Sequence, residues 1–346
     1  MASNPANAPL GKIIRFYVRF TPSYSQIGYY ARRLFWRRLR NDFRGQTWLV
    51  VGGSEGIGGS AARSAVAGGA TVISVARDPA KLQAFAASTA DPSRVVAETA
   101  DFSLMASVRE LLGRLQARGT PIDVLVDNVG IQKRDQIITR EGLETSFATN
   151  ILSHYLFTRE LLARGLLAEN ATIIEVASGG MYNHPLVVKD LNITGPGYLG
   201  VRAYGLSKRA QVVMTQHWRQ THAGSGRRFY VMHPGWVDTA AVSRSMPRFR
   251  ETLKSVLRRD EQGADTIVYL ADQRPPQRSD ESIWFDRKER TAHIFARTRQ
   301  TKDTAATLIA YLESMTATPV AGSAGASAAP AAPPGPTLTP AGSPVA

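Results

Sequence analysis

Short runs of β-branched and apolar residues alternate with longer segments of helical period through the middle of the chain. Continuous apolar runs are typical of strands buried on both faces, and helices between such strands are typical of a parallel sheet. The pattern predicts strands at 47–52, 71–75, 94–98, 122–126, 172–177, 229–233 and 283–286. It predicts helices near 57–69, 79–89, 104–117, 141–168, 204–222 and 261–272. These elements indicate a single α/β domain with helices on both faces of its sheet.

Composition divides the chain into three zones. Residues 1–44 are basic and aromatic, residues 45–316 carry the alternating pattern, and residues 317–346 are almost wholly Ala, Pro, Gly, Ser and Thr. The last zone lacks the apolar side chains that a core needs. We therefore expect an N-terminal arm, one domain and a disordered tail.

The arm carries much of the positive charge. The chain has a formal net charge of +14, and the stretch from Lys12 to Arg44 contains nine basic residues and one acidic residue. Ile27, Tyr30, Ala31, Leu34 and Phe35 share one helical face, with arginines largely elsewhere. Such a helix either contacts a membrane surface or packs on the domain, and the sequence leaves both alternatives open. No recognised nucleic-acid motif accompanies the charge, so we expect no nucleic-acid partner.

The chain has no cysteine, which excludes disulfides and thiolate-bound metals, and we predict no metal site. No apolar run approaches the ~18–20 residues of a spanning helix. The N-terminal apolar run is broken by Arg15 and Arg19, unlike a signal peptide. We expect a cytoplasmic protein, with peripheral attachment at a membrane surface as the alternative.

A glycine-rich turn follows the first predicted strand. It reads Gly52-Gly53-Ser54-Glu55-Gly56-Ile57-Gly58 and leads into a predicted helix. Glycines at these offsets allow a tight turn and close approach of the backbone to a pyrophosphate, which the helix N-terminus attracts. We interpret Gly52, Ser54, Gly56, Ile57 and Gly58 as a nucleotide-binding loop of a Rossmann-type, doubly wound sheet.

Arg77 follows the second strand, where such folds place the adenosine ribose. An acidic residue there would bind the ribose 2′-hydroxyl, whereas an arginine pairs with a 2′-phosphate. Arg77 therefore favours NADP(H) over NAD(H). Glu55 in the loop opposes a doubly charged phosphate, and an ordinary surface arginine is the alternative interpretation.

Further motifs follow in a fixed order. They are Asp127-Asn128-Val129-Gly130, Asn150, Ser178, Tyr204-x-x-x-Lys208 and Pro234-Gly235. Together with the glycine-rich turn, this order resembles the short-chain dehydrogenase/reductase superfamily over roughly 270 residues, a single-domain length. Ser178-Gly179-Gly180-Met181, His233-Pro234-Gly235-Trp236 and Gln262-Gly263-Ala264-Asp265-Thr266 are most similar to its dehydrogenase/reductase family member 12-like, retinol-dehydrogenase-like branch.

The resemblance implies a catalytic set of Asn150, Ser178, Tyr204 and Lys208. In the family the tyrosine exchanges the substrate's hydroxyl proton, the lysine also binds the nicotinamide ribose, and the asparagine holds a relay water. The residues agree with this chemistry, because Tyr204 and Lys208 lie one helical turn apart. A nearby ammonium is expected to lower the phenol pKa. Ser178, past the fifth strand, would hydrogen-bond the substrate oxygen.

The resemblance also assigns the rest of the cofactor site. Asp101 and Phe102 match the pair that contacts adenine, and Asn128 and Gly130 lie beside them. The segment that turns around the nicotinamide is matched by Pro234, Gly235, Val237 and Thr239.

Three positions depart from the family pattern. Val51 replaces a threonine, Asp127 replaces the first asparagine of Asn-Asn-Ala-Gly, and Ala177 replaces a serine. None of them is a catalytic group, so the departures affect local hydrogen bonding more than activity.

The apolar residues of 239–260 recur at helical spacing in the family's lid region, which suggests a lipophilic substrate. We therefore expect an NADP(H)-dependent oxidoreductase that interconverts a small-molecule alcohol and carbonyl. A non-catalytic NADP(H)-binding protein tethered through the arm is the alternative. In related proteins the helices that carry Asn150 and Tyr204 often form a homodimer face, and this too stays open.

Overall fold

The computed structural model describes residues 18–317. The first seventeen residues of the predicted arm and the predicted tail beyond residue 317 lie outside the described residues.

A single eight-stranded sheet forms the centre of the fold. Its strands are β1 (Thr47–Val51), β2 (Thr71–Ala76), β3 (Val95–Thr99), β4 (Ile122–Asp127), β5 (Leu167–Val176), β6 (Arg228–Met232), β7 (Ser282–Phe285) and β8 (Lys288–Thr291). They lie in the order β3-β2-β1-β4-β5-β6-β7-β8. All neighbours are parallel except β7 and β8. The predicted doubly wound α/β fold of Rossmann type is confirmed.

Helices cover both faces of the sheet. Those described are α1 (Gln26–Arg33), α2 (Gly56–Ala67), α3 (Pro79–Ala87), α4 (Met105–Arg118), α5 (Thr145–Phe147), α6 (Ser153–Ala163), α7 (Gly200–Thr221), α8 (Ala240–Ser245), α9 (Pro247–Leu253), α10 (Asp260–Gln273) and α11 (Ala305–Ala317). A helical stretch over residues 18–24 precedes α1.

Each central strand sends alternate side chains to opposite faces, because successive residues of a strand point in opposite directions. In β1, Leu49 and Val51 join a core with α4, α6, α7 and α11, while Trp48 and Val50 join a core with α2 and α10. All four side chains are buried, which explains the continuous apolar run in the sequence.

The predicted helix over 141–168 is wrong at both ends. The structure has α5, then a π-helical turn (Ala148–Leu152), then α6. Gly165 adopts a φ of 65° and ends the helical region, and β5 begins two residues later. Leu167 pairs with Ile122 of β4, so strand pairing overrides the helical character of this apolar run.

Two elements were not predicted from the pattern. β8 is almost entirely charged and pairs with β7 through a tight turn in which Asp286 and Arg287 have φ values of 49° and 56°. Helix α11 buries Leu308 and Leu312 against α6 and α7, so it covers part of the face for which a homodimer was considered. The homodimer stays a prediction.

The described part of the arm packs on the domain. Tyr24 and Tyr29 are buried, and Arg32 of α1 donates from Nε to Asp286 at 2.7 Å. Asp286 also binds the buried Arg258 at 2.6 Å. The other face of the arm is exposed, including Leu34 and Phe35. Division of the chain at residue 45 stays a prediction, although arm and domain share these buried contacts.

Helices long and apolar enough to cross a membrane are absent from residues 18–317.

Candidate functional site

A cavity of about 1150 Å³ opens at the carboxyl edge of the sheet, beyond the ends of β1, β4, β5 and β6. Ligands of open α/β sheets bind at this edge, where the strand order reverses. The predicted site residues that line the cavity are Gly52, Ser54, Gly56, Ile57, Arg77, Asp101, Phe102, Asn128, Gly130, Ser178, Tyr204, Lys208, Pro234, Gly235, Val237 and Thr239. The two that do not line it are Gly58 and Asn150.

The glycine-rich turn needs glycine at three positions, two for their backbone conformation and one for a close contact. Gly52 and Gly56 adopt φ values of 75° and 61°, which favour glycine. A Cβ on Gly58 would lie 2.3 Å from the Gly52 carbonyl oxygen, so Gly58 lets the helix pack under the turn. Helix α2 begins at Gly56, and no side chain within residues 18–317 caps its first N–H groups. Those donors and the positive end of the helix are suited to a phosphate.

The end of the cavity beside the glycine-rich turn is polar and carries charges of both signs. Arg77 lines it and is exposed, and Lys81 binds Glu55 at 2.7 Å. The ion pair offsets the charge of Glu55, which was the sequence-based argument against a phosphate here. Asp78 caps α3 by accepting from the backbone N–H groups of Ala80 and Lys81.

The predicted adenine contacts have distinct surroundings. Asp101 Oδ1 accepts from the backbone N–H of Ser103 at 2.8 Å, which fixes the turn after β3. The ring of Phe102 packs against Phe157 with centroids 5.2 Å apart and is only 3% exposed. Phe102 therefore belongs to the core as well as to the cavity wall.

Tyr204, Lys208 and Ser178 come together on one wall. Helix α7 presents Tyr204 and Lys208 one turn apart, with Lys208 Nζ 5.7 Å from the Tyr204 ring centroid. Lys208 Nζ donates to the carbonyl oxygen of Val176 at 2.9 Å. The Ser178 hydroxyl lies close enough to Tyr204 to lower the pKa of its phenol. The arrangement joins a phenol, a hydroxyl and an ammonium at the cavity surface.

Burial dominates the acid–base properties of this wall. It lowers the pKa of Lys208 from 10.5 to about 8, and the charge of Glu175 opposes that change. It raises the pKa of Tyr204, and the hydrogen bond from Ser178 only partly opposes this. The predicted lowering of the phenol pKa by Lys208 is therefore wrong for the protein alone, because desolvation disfavours the phenolate.

Asn150 lies behind the wall, and its side chain is fully engaged. Its Oδ1 accepts from the backbone N–H of Ile131 at 2.8 Å, and its Nδ2 donates to the Ile131 carbonyl at 2.8 Å. The π-helical turn frees its own carbonyl, which accepts from Gln211 Nε2 at 2.6 Å. Asn150 thus fixes the backbone after β4, and its role in holding a water stays a prediction.

Arg258 holds the loop after β6 and was missed in the sequence. It donates to the Pro234 carbonyl at 3.0 Å and to the Ser25 carbonyl at 3.2 Å. The N–H of Trp236 donates to the Tyr24 carbonyl at 2.9 Å. The arm and a buried arginine therefore position this loop, and no local motif indicated either contact.

The loop residues Val237 and Thr239 play structural parts as well. Val237 is only 3% exposed, and Thr239 caps α8 by accepting from the N–H of Val242 at 3.2 Å.

The opposite end of the cavity is lined by large apolar side chains from the arm, the loop, the lid helices and the C-terminal region. They include Phe20, Tyr24, Trp236, Met246, Phe249 and Phe295. The sequence left open whether the arm packs on the domain, and it gave no signal for Phe20 and Tyr24 as site residues. The cavity thus has a polar, charged end and an apolar end, and Tyr204 lies between them.

The residues present fit a nicotinamide dinucleotide. A glycine turn and helix N-terminus are suited to the pyrophosphate, and Arg77 to the ribose end. A Cβ on Gly130 would approach Lys208 Nζ to 3.2 Å, so glycine keeps the ammonium accessible there.

Comparison with known proteins gives consistent matches. A family model described as short chain dehydrogenase matches residues 46–248. Dehydrogenase/reductase SDR family member 12 of Bos taurus is 33% identical over 276 residues, which cover 78% of this chain and 86% of the relative. Retinol dehydrogenase 13 of Mus musculus is 31% identical over 56% of this chain and 59% of the relative. The crystal structure of an uncharacterised Mycobacterium paratuberculosis protein superimposes with a TM-score of 0.63 and 26% identity, over 81% of this chain and 96% of that one.

Replacement of Gly58 tests the shape of the turn. We expect Gly58→Ala to weaken NADPH binding about tenfold or more, because relieving the clash with Gly52 costs ~1–3 kcal/mol and moves the turn. Gly113→Ala is the matched control, because nothing lies within 4 Å of a Cβ there and α4 tolerates alanine. Fluorescence titration of NADPH measures both. Equal affinities for the two variants would contradict this account of the turn.

Proposed function

Because the chain belongs to the short chain dehydrogenase family, in the branch of dehydrogenase/reductase SDR family member 12, we propose that it is an NADP(H)-dependent oxidoreductase that interconverts a lipophilic alcohol and its carbonyl. Proteins of this family bind a nicotinamide nucleotide and a small-molecule substrate. The observation that carries the proposal is the meeting of Tyr204, Ser178 and Lys208 at the junction of a polar, charged cavity end and an apolar one.

The proposed binding mode follows from the two ends. The turn at Gly52–Gly58 would hold the pyrophosphate, Arg77 a 2′-phosphate, and the loop from Pro234 the nicotinamide. Lys208 Nζ, which donates to the Val176 carbonyl, has further N–H donors for a ribose hydroxyl. When bound, the cofactor supplies or accepts the hydride.

The proposed chemistry of the protein is proton transfer at one oxygen. Ser178 Oγ and Tyr204 Oη would both bind the substrate oxygen, and Tyr204 would give its proton to that oxygen as a carbonyl is reduced. The raised pKa of Tyr204 keeps the phenol protonated at neutral pH, which suits it to act as an acid. Oxidation of an alcohol needs the phenolate, so that direction is expected to gain from alkaline pH.

Apolar lining supports a lipophilic substrate. Trp236, Met246 and Phe249 face the cavity from the loop and the lid helices, and Phe20 and Tyr24 close it from the arm. Burial of apolar surface between a ligand and this lining stabilises the bound state by ~25 cal/mol per Å². Retinol, which appears in the name of one relative, is a lipophilic alcohol.

Arg77 is the test of cofactor preference. We expect Arg77→Glu to weaken NADPH binding at least about tenfold and to leave NADH binding unchanged or tighter, because the carboxylate repels a 2′-phosphate and accepts from a 2′-hydroxyl. Arg44→Glu is the matched control, since Arg44 is highly exposed and pairs with Asp42. Titrations of each purified variant with both nucleotides measure the effect. Wild-type protein that prefers NADH would overturn the NADP(H) proposal.

Tyr204→Phe tests the acid–base role. We expect turnover of retinal or another lipophilic carbonyl with NADPH to fall about 100-fold or more, with NADPH affinity unchanged. Tyr269→Phe serves as the control, since Tyr269 packs against Trp284 away from the cavity. Full turnover by Tyr204→Phe would refute the role. Cofactor binding without turnover of any carbonyl by the wild type would favour the non-catalytic alternative.

We further propose that the exposed face of the arm contacts anionic membrane. Leu34 and Phe35 are 83% and 86% exposed, and Ile27 and Tyr30 are exposed beside them. The arginines nearby, at positions 33, 37, 38 and 40, are exposed as well and make no salt bridge among the described residues. Apolar side chains flanked by cations suit an interface of anionic lipid.

Vesicle sedimentation tests this contact. We expect the full chain to sediment with vesicles of phosphatidylcholine and phosphatidylserine and not with phosphatidylcholine alone. Leu34→Asp together with Phe35→Asp should reduce binding severalfold, because each removes apolar area and adds repulsion. Both side chains lie outside the core, so the fold should persist. Absence of wild-type binding, or an unaffected variant, would reject the contact.

A further inference from the structure

A buried cluster of three ionisable groups lies beneath the cavity. Asp127 ends β4, Glu175 lies near the end of β5, and His154 lies in α6. Their side chains are 1%, 3% and 0% exposed, and their ligand atoms lie within 4.8 Å of one another. None of the three lines the cavity, and the proposed reaction does not use them. Three buried ionisable groups need a physical explanation, because isolated buried charge is unfavourable.

The hydrogen bonds of His154 define its protonation. Nδ1 lies 2.8 Å from Glu175 Oε1, and Nε2 lies 3.0 Å from the carbonyl oxygen of Val129. A backbone carbonyl only accepts, so Nε2 carries a proton. Glu175 as a carboxylate likewise requires a proton on Nδ1. Burial and the charge of Lys208 lower the pKa of His154, but the charge and hydrogen bond of Glu175 together with the charge of Asp127 outweigh them and the pKa is raised. Gln211 Nε2 also lies 3.3 Å from Nδ1, but its shorter bond, of 2.6 Å, is to the Asn150 carbonyl. The contacts of the two ring nitrogens are those of an imidazolium paired with Glu175.

A metal ion does not suit this arrangement. Both ring nitrogens of His154 already have partners, and Asp127 Oδ2 accepts from Thr158 Oγ1 at 2.9 Å. A cation would have to displace the proton that joins His154 to Glu175. The geometry is that of a hydrogen-bonded ion pair.

Two contacts connect the pair to the cavity. Val129 stands between Asn128 and Gly130, which both line the cavity, so His154 holds the backbone of that segment from below. Asn150 lies one turn earlier on the same helical segment and holds Ile131 in the same way. One helical face thus fixes residues 129–131.

The second contact runs through Glu175 to Lys208. Glu175 immediately precedes Val176, whose carbonyl accepts from Lys208 Nζ. Its negative charge raises the pKa of Lys208, which burial lowers to about 8. A charged His154 offsets part of this effect, because the positive charges of Lys208 and His154 repel each other.

We propose that His154 and Glu175 are positioning residues: the carboxylate keeps the imidazolium charged, and the imidazolium fixes residues 129–131 against the bound nucleotide. This inference rests on the proposed function, because it takes the cavity to be the nucleotide site. Protonation of His154 is independent of it.

Asp127 is the third titratable group facing His154, besides Glu175 and Lys208. Burial raises the pKa of Asp127 from 3.8 to about 7, with His154 opposing and Glu175 adding. Because the folded-state pKa is raised, the stability linked to this group is greatest at acid pH and falls as pH rises towards about 7. Asp127→Asn should therefore stabilise the fold relative to wild type more at alkaline than at acid pH, while keeping the imidazolium.

Nitrogen-15 NMR of histidine-labelled protein tests the ion pair directly. We expect one imidazole with both nitrogens protonated at neutral pH, which disappears in His154→Gln. Glu175→Gln keeps the shape but removes the charge, so His154 should become a neutral ring. A neutral ring in wild type, or loss of the imidazolium in Asp127→Asn but not in Glu175→Gln, would overturn the assignment. Shifts on addition of Zn²⁺ that Glu175→Gln abolishes would show a metal site instead.

The pH dependence of NADPH affinity tests the positioning role. We expect Glu175→Gln to weaken binding severalfold near pH 8 and much less at acid pH, because the His154 ring that holds the Val129 carbonyl is charged in this variant only at acid pH. Glu313→Gln is the matched control, because Glu313 is exposed on α11 and does not line the cavity. A uniform loss at every pH would indicate a structural role only and overturn the electrostatic one. Wild type that shows the imidazolium but binds no nucleotide would refute the proposed function and leave the ion pair intact.

Discussion

Parallel strand alignment is the constraint on which the site depends. Because β1, β4, β5 and β6 run in one direction, their carboxyl ends meet at one edge, and the chain leaves each strand at the same level. Gly52, Asn128, Ser178 and Pro234 each lie within two residues of one of these ends. Residues far apart in sequence therefore line one cavity. Reversal of strand order between β1 and β4 opens the space that the cavity occupies.

The strand ends alone do not fix the loops that follow them. Asn128 donates to the Gly52 carbonyl at 3.2 Å and so joins the loop after β4 to the loop after β1. Arg258 holds the last loop, and its own charge is compensated by Asp286 in the turn between β7 and β8. A buried arginine is tolerable only when its donors are satisfied, and here carbonyls of the arm complete the set. The arm is thus part of the scaffold of the site.

The cavity separates two kinds of recognition. Its polar end has backbone N–H donors and the cation Arg77, which suit phosphates, whereas aromatic and aliphatic side chains cover the other end. Tyr204 and Lys208 lie between them, where burial shifts the pKa of both groups towards their neutral forms. Glu175 opposes this shift at Lys208, so buried charge behind the wall influences chemistry at its surface. The polar interior beneath the sheet edge is consequently as relevant to the site as the residues that line it.

Sequence by itself determined the parts of the protein that local pattern encodes. Apolar runs located seven strands, since a strand buried on both faces must be apolar throughout, and glycine and motif spacing located the cavity wall. Tertiary structure decided those elements for which the local sequence preference was ambiguous or absent. Pairing with β4 turned residues from Leu167 onwards into strand, and β7 gave the charged segment of β8 its partner. Burial reversed the expected pKa change of Tyr204, because desolvation depends on surroundings that no spacing reveals. The contacts of Arg258 and His154 likewise exist only once distant elements pack together, since single polar residues carry no periodic signal.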